Sequence, residues 1–208
     1  VSAMILMIAH WNWMDPAIAN LQPVLDSYWL MIHVAVIVGS YGPFALSMII
    51  GIVALLLILL TTKKNKQRMN LNIKELTVIN ELSLTVGLIM LTIGNFLGGM
   101  WANESWGRYW GWDPKETWAL ISIMIYAFVI HMRLIPALKS RWMFNFSSVL
   151  AFASIMMTYF GVNFYLSGLH SYASGDKIIT PNFVYYAILF VALLGGASYW
   201  RFKKMYRK

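Results

Sequence analysis

The densest group of chemically distinctive residues lies at 101–118, where the sequence reads WANESWGRYWGWDPKETW. Five tryptophans, one tyrosine and two glycines fall within this stretch. Tryptophan and tyrosine are enriched where a membrane meets water, so an interfacial aromatic belt is the ordinary explanation. Gly107 and Gly111, however, stand among the aromatics where a flat apolar ligand resting on ring faces needs close approach to the backbone. The segment therefore predicts a surface that holds a planar ligand.

The Asp-Pro-Lys-Glu run within this segment has the spacing of a helix start. Asp113 stands at the N-cap, Pro114 at the first helical position and Glu116 at the third, which is the pattern of a capping box. We therefore expect Asp113 to begin a helix, with direct contact to a ligand as the alternative.

The elements that must position these residues are membrane-spanning helices. Of the 208 residues, 60% are hydrophobic and 12% charged, a balance outside the range of water-soluble domains. A helix needs about 20 apolar residues to cross the hydrocarbon core. Residues 1–9 are apolar but too short, and we expect them to be the end of a truncated first span. The sequence predicts an all-α bundle in a single domain, residues 1–208, with five full spans at about 28–60, 76–100, 116–136, 142–166 and 182–199.

The basic residues indicate how the bundle lies in the membrane. The net charge is +8, and 13 of the 16 lysines and arginines lie in three clusters at 63–74, 133–141 and 201–208. The positive-inside rule places these clusters on the cytoplasmic side of a bacterial inner membrane and the tryptophan-rich segment on the external side. This distribution predicts contact with membrane lipid and excludes a nucleic-acid footprint.

The first long stretch also predicts where its histidine lies. Residues 28–60 would form about 50 Å of helix, so part of it must protrude or bend, and Gly42-Pro43 is the expected bend. Twenty residues counted outward from Leu60 reach Tyr41, which leaves His33 about 12 Å beyond the outer edge of the hydrocarbon. His33 is therefore expected to face an external ligand.

Three further polar residues are predicted within the spans. His131 lies about 7 Å from the inner end of its span, and an ionisable group inside a membrane marks either a functional site or a contact between helices. Glu81 is expected at the inner interface, and Asn95 is expected to hold helices together.

Residues 106–118, Trp-Gly-Arg-Tyr-Trp-Gly-Trp-Asp-Pro-Lys-Glu-Thr-Trp, resemble the tryptophan-rich WWD signature of the haem-handling proteins of cytochrome c maturation. The Pro-Lys-Glu-Thr-Trp continuation resembles the CcsA (ResC) branch, the membrane subunit of the System II cytochrome c synthase, more than the CcmC and CcmF branches of System I. The resemblance covers about residues 26–175. It implies that haem b is bound at Trp106, Gly107, Arg108, Tyr109, Trp110, Gly111, Trp112 and Asp113.

The resemblance also implies three histidines that bind haem. The family flanks its tryptophan-rich segment with two external axial ligands, and the matching positions are His33 and His170. Six-coordinate haem takes two imidazoles on opposite faces. The family also places a haem-binding histidine in a transmembrane helix, which matches His131. The second transmembrane histidine has no match here, since His10 is external by charge, and we expect it upstream of Val1 or on a ResB/CcsB-type partner that some members carry fused.

The function that this resemblance implies is haem export or handling and a cytochrome c synthase (haem lyase) activity. The vinyl groups of the haem would take up the two thiols of a C-x-x-C-H segment in apocytochrome c. No catalytic side chain is expected, because the protein contributes orientation and effective concentration, in agreement with the absence of cysteine. Arg108 is expected to pair with a haem propionate or to remain an ordinary surface residue.

Two other functions remain open from the sequence. A System I-type relay protein would bind haem and pass it on without forming thioethers, although the Pro-Lys-Glu-Thr-Trp run counts against it. A membrane transporter with an aromatic vestibule would bind another flat ligand, but transporters usually show broken helices or paired charges at mid-membrane.

Overall fold

The computed structural model describes residues 27–166, 168 and 180–206. The predicted truncated span at 1–9, His10 and His170 lie outside these residues. Within them the ordered elements are helices, and five helical segments are long and apolar enough to cross a membrane, which confirms the predicted all-α bundle. The helices are α1 (Tyr28–Leu59), α2 (Lys66–Trp106), α3 (Pro114–His131), α4 (Arg141–Met156), α5 (Val162–Tyr165) and α6 (Asn182–Tyr206).

The helix boundaries differ from the predicted spans mainly in α2. This helix has 41 residues, about 60 Å at 1.5 Å per residue, so it extends beyond 76–100 at both ends. Its last turns include Trp101 and Trp106, which leaves only residues 107–113 of the predicted loop at 101–118 between helices. The helix α1 continues through Pro43. The sequence prediction placed helix ends where apolarity falls, whereas α2 continues through polar residues at both ends.

Helices α1 and α2 pack antiparallel through glycines on α2. A Cβ on Gly87 would lie 2.8 Å from the ring of Phe44, and one on Gly94 would lie 2.6 Å from Cγ1 of Ile37. Small residues allow such close approach between membrane helices, where packing rather than hydrophobicity drives association. The antiparallel arrangement brings the start of α1 to the end of α2, and hence His33 to Trp101.

Two apolar clusters fill the bundle. In the first, the buried rings of Phe44 and Tyr126 stack with centroids 3.8 Å apart, joining α1 to α3. In the second, Trp142 of α4 packs with buried residues of α1 and donates from Nε1 to Ser198 Oγ of α6 at 2.9 Å. These contacts fix α3 and α6 against the α1–α2 pair.

A buried polar network lies between the two clusters and was not predicted. The Asn80 side chain donates to Asn145 Oδ1 and to Ser148 Oγ, each at 2.9 Å, and accepts from Ser47 Oγ. All four residues have no exposed surface. In a bilayer such hydrogen bonds join helices, and this network joins α1, α2 and α4. Asn95, predicted for that role, is instead half-buried and lines a cavity.

Candidate ligand-binding site

The tryptophan-rich segment turns sharply between α2 and α3. Gly107 ends α2 in the left-handed conformation, with φ +68°, and its N–H donates to the carbonyl of Asn103 at 3.0 Å. Glycine is favoured at this position because a Cβ is strained there. The close approach predicted for Gly107 is therefore explained by the end of the helix, and Gly107 does not line the cavity described below.

The predicted capping box at the start of α3 is confirmed. The Asp113 side chain accepts from the Lys115 N–H at 3.2 Å. The Glu116 carboxylate accepts from the N–H groups of Asp113 at 3.2 Å and Gly111 at 2.8 Å. Asp113 is buried, with 6% of its surface exposed. The two carboxylates thus fix the segment that precedes α3.

His33 lies in the second turn of α1 and is buried, with 6% of its surface exposed. Its ring stacks on Trp101 of α2, with centroids 5.3 Å apart and planes 25° apart. Its Nδ1 lies 2.9 Å from the carbonyl oxygen of Trp29. Because a carbonyl only accepts, a neutral His33 carries its proton on Nδ1 and its lone pair on Nε2. This is the tautomer found where a histidine binds a metal through Nε2.

A cavity of about 250 Å³ joins His33 to the tryptophan-rich segment. Its walls come from α1, the end of α2, the 107–113 connection, the start of α3 and the π-helical turn Met157–Gly161. Aromatic rings line much of it, contributed by Tyr41, Tyr109, Trp110 and Tyr159. Polar groups are few and come chiefly from His33, Asn95, Lys115, Glu116 and Thr158. An aromatic wall with few polar groups is typical of a ligand site.

The π-helical turn supplies one wall of the cavity and was not predicted. It places the Tyr159 ring edge-on to Tyr41 of α1, with centroids 6.1 Å apart. The hydroxyl of Thr158 donates to the carbonyls of Ser154 at 2.8 Å and Trp118 at 3.2 Å, which ties this turn to α3. Such turns occur frequently at functional sites. The hydropathy of the sequence indicates a continuous span here and does not indicate where a π-helical turn interrupts the α-helix.

Two further glycines that the sequence analysis missed lie at the cavity. A Cβ on Gly98 would lie 3.3 Å from Cδ2 of His33, and one on Gly99 would lie 2.5 Å from the ring of Tyr109. The Tyr109 hydroxyl donates to the carbonyl of Phe96 at 2.9 Å, which holds the ring over α2. In the sequence, the Gly-Gly pair just before Trp101 could have indicated this close packing.

The cation in the cavity is Lys115, and Arg108 lies outside its lining. Arg108 packs on Gly111, where a Cβ would collide with the guanidinium, and lies 5.9 Å from the ring of Trp106. Trp106, Gly111, Trp112 and Asp113 also lie outside the lining. Of the predicted haem-binding residues, the structure brings together His33, Tyr109 and Trp110.

Gly168 lies close to the first residues of α3. A Cβ on Gly168 would lie 2.4 Å from Oδ1 of Asp113 and 2.7 Å from Cδ of Pro114. Residue 168 therefore lies against the start of α3, two positions before His170, which is outside the described residues.

Comparison with known proteins decides the family. The sequence model of the cytochrome C assembly protein family matches residues 1–170. The chain belongs to this family. The CcsA/ResC resemblance carried by the tryptophan-rich segment is confirmed by this match together with the relatives given next.

The curated relatives of this cytochrome c assembly protein agree. Protein NrfI of Wolinella succinogenes is 53% identical over 184 residues, which cover 86% of this chain and 20% of that protein. The cytochrome c biogenesis protein CcsA of Guillardia theta is 37% identical over 172 residues, 74% of this chain and 57% of that protein. The CcsA of Chlamydomonas reinhardtii is 39% identical over 153 residues, 73% and 42% respectively. The chain thus spans from one fifth to under two thirds of the length of these relatives.

The donor chemistry of the cavity fits haem, the group that the cytochrome c assembly family handles. His33 offers an imidazole with its lone pair on Nε2, Tyr109 and Trp110 offer ring faces, and Lys115 offers a cation for a carboxylate. Ligand pockets usually measure about 300–1,000 Å³. The cavity, at about 250 Å³, lies just below that range.

His131, the third predicted histidine of this assembly protein, lies at the opposite end of the bundle. It is the last residue of α3 and is exposed on the bundle surface, and its Nδ1 lies 2.7 Å from the Ala127 carbonyl. Within the described part of the chain, no group of three or more His, Cys, Asp or Glu side chains is placed to hold a metal. Glu81, predicted at the interface, pairs nearby with Arg133.

Proposed function

We propose that this chain binds haem b in the cavity beside His33 and presents it for covalent attachment to apocytochrome c, as the CcsA-type membrane subunit of a System II synthase. The observation that carries the proposal is the single cavity that joins the buried imidazole of His33 to Tyr109 and Trp110 of the tryptophan-rich segment. A haem bound there would contact both an imidazole that can coordinate its iron and two aromatic ring faces.

Four side chains of the cavity would together hold the haem. His33 would hold the haem iron through Nε2, and its hydrogen bond to the Trp29 carbonyl and its stack on Trp101 fix the plane of the imidazole ring. Tyr109 and Trp110 pack on the macrocycle. Lys115, half-buried in the cavity wall, pairs with a propionate in place of Arg108. His170 would be the second histidine that holds the haem in this proposal.

The haem supplies the vinyl groups that react with the thiols of the apocytochrome. The contribution of the chain is orientation, because a fixed geometry converts an encounter in solution into an effectively intramolecular step. In this proposal part of the macrocycle would stay outside the cavity, where the substrate can reach it. For the product to leave, His33 or His170 would have to release the haem.

His131 belongs to a second haem site in this proposal, shared with a ResB/CcsB-type partner. Two observations support the sharing. The His131 side chain lies on the outer surface of the bundle, where a helix of another chain can reach it. Its Nδ1 is engaged by the Ala127 carbonyl, which leaves the lone pair on Nε2. The missing second histidine would come from that partner.

The proposed location is a bacterial inner membrane, with the cavity on the external side. The connections at 60–65 and 132–140 and the end of α6 carry basic residues and meet at the end of the bundle opposite His33. The positive-inside rule assigns that end to the cytoplasm.

The test is covalent haem attachment to an apocytochrome c reporter coexpressed with the chain and a ResB-type partner. Wild type is expected to yield haem that stays on the reporter after denaturing electrophoresis, and His33→Ala is expected to yield little. Lys203→Gln, at the opposite end of the bundle, is the matched control and keeps activity. Haem bound by the wild-type chain but never found covalently on the reporter would contradict the synthase proposal and favour a System I-type relay.

A further inference from the structure

A second cavity, of about 320 Å³, lies at the basic end of the bundle. Its floor is apolar and comes from Ile58 near the end of α1 and Ile73 of α2, both almost fully buried. Phe202 and Tyr206 of α6 form a wall, with their rings stacked at 5.4 Å. Because α1 ends and α4 begins here, the cavity lies at the level where the helices leave the hydrocarbon.

Two cations lie in the lining of this basic-end cavity. Lys139 is exposed and comes from the connection between α3 and α4. Arg141 is the first residue of α4, and one of its guanidinium nitrogens donates to Asn70 Oδ1 at 2.7 Å. That bond fixes the position of the guanidinium, so that it binds an anion at a smaller entropic cost than a mobile surface side chain would.

Contacts with neighbouring residues hold the aromatic wall in place. The Tyr206 hydroxyl lies 3.2 Å from the hydroxyl of Thr61, and the Thr61 carbonyl accepts two hydrogen bonds from the guanidinium of Arg201. Lys66 lies 5.5 Å from the centre of the Tyr206 ring and adds a third cation beside the cavity. Residues of α1, α2, α4 and α6 that are fixed by these contacts therefore form the cavity together.

No acidic side chain compensates these cations within the described residues. The one ion pair found there joins Arg133 to Glu81 and includes neither Lys139 nor Arg141. The chain thus offers an apolar floor, an aromatic wall and two uncompensated cations at the membrane boundary. Basic pockets of this kind between membrane helices recognise anionic lipid headgroups.

We propose that this cavity binds the phosphate headgroup of an anionic phospholipid. The phosphate lies between Lys139 and Arg141, and an acyl chain lies along Ile58, Ile73 and Phe202. The site is distinct from the cavity beside His33 and does not depend on haem. Its expected effect is to fix the ends of α1, α4 and α6 against one another.

The test is thermal unfolding of the purified chain in uncharged detergent, titrated with phosphatidylglycerol, phosphatidylcholine or inorganic phosphate at constant ionic strength. Phosphatidylglycerol is expected to raise the unfolding temperature in a saturable manner. Its Kd is expected to rise about fivefold in Lys139→Gln and about thirtyfold in Lys139→Gln/Arg141→Gln, since each cation near a membrane surface contributes about this factor. Lys203→Gln/Lys204→Gln removes the same charge outside the cavity and is expected to leave the Kd unchanged.

Lys139→Gln alone keeps the test decisive if the double variant does not fold, because Lys139 is exposed and its side chain makes no hydrogen bond within the described residues. Equal stabilisation by phosphatidylcholine would overturn the proposal. So would saturation by inorganic phosphate alone, which would assign the cations to a soluble anion. An equal loss in the Lys203→Gln/Lys204→Gln control would show that general surface charge, and not the cavity, attracts the lipid.

Discussion

Replacing Gly99 by alanine should displace Tyr109 from the cavity beside His33. The new Cβ would lie 2.5 Å from Cε1 and 2.6 Å from Cζ of the Tyr109 ring. Carbon atoms pack at about 3.5–4.0 Å, so the ring must move by about 1 Å. That movement strains the hydrogen bond from the Tyr109 hydroxyl to the Phe96 carbonyl, now 2.9 Å.

The expected change in the free energy of unfolding has three terms, of which two are destabilising and one is stabilising. Overpacking of this kind costs about 1–3 kcal/mol, and loss of the hydrogen bond costs about 1 kcal/mol. Alanine is favoured over glycine within a helix by about 1 kcal/mol. The net expectation for Gly99→Ala is a destabilisation of about 1–3 kcal/mol. If the displaced ring weakens haem binding by the same free energy, haem affinity should fall by about fivefold to a hundredfold, since 1.4 kcal/mol corresponds to a factor of ten.

The assay combines thermal unfolding in detergent with haem titration followed by absorption. Gly196→Ala is the control, because no atom lies within 4 Å of the Cβ it would add. The decisive comparison repeats Gly99→Ala in a Tyr109→Ala background, where the clash is gone and the substitution should be neutral or stabilising. If Gly99→Ala costs the same stability in both backgrounds, the two effects are additive and the contact we describe does not control the site.

Further substitutions test other parts of the account. Asp113→Ala should lower the stability of α3 by about 1 kcal/mol, measured by thermal unfolding, whereas Asp113→Asn should not, because asparagine also caps helices. Asn80→Leu should lower the unfolding temperature through loss of about 1–2 kcal/mol of hydrogen bonds between helices; an unchanged temperature would contradict a structural role for the network. Lys115→Gln should abolish any preference for haem over its dimethyl ester in binding titrations, while Arg108→Gln should preserve it. His131→Ala should leave the affinity of the cavity beside His33 unchanged in the same titrations, because it lies at the other end of the bundle.

The sequence predicted the features that hydropathy and local hydrogen bonding determine. Span length follows from the thickness of the hydrocarbon, so the five membrane-length helices were found. The capping box of Asp113 and Glu116 was found because its partners are three residues apart. The family was found from the same segment, since its aromatic spacing and the Pro-Lys-Glu-Thr-Trp run are distinctive.

The features that depend on contacts between helices were not predicted. Hydropathy gives the depth of a residue in the membrane but not the side of the helix on which it lies. The sequence therefore selected Asn95 instead of Asn80 as the residue that joins helices. Likewise the sequence left Arg108 open as a propionate partner or a surface residue and did not single out Lys115. The end of α2 turns Arg108 towards Gly111, and α3 brings Lys115 to the cavity.

The most direct test of the central claim is the absorption spectrum of the purified chain, oxidised and reduced, for wild type and His33→Ala, prepared with the partner present. The account predicts bound haem with low-spin bands in wild type, loss of haem or of those bands in His33→Ala, and their return when imidazole is added to fill the vacated position. A colourless wild-type protein, or a His33→Ala spectrum identical to wild type without added imidazole, would contradict the assignment of His33 as a haem ligand.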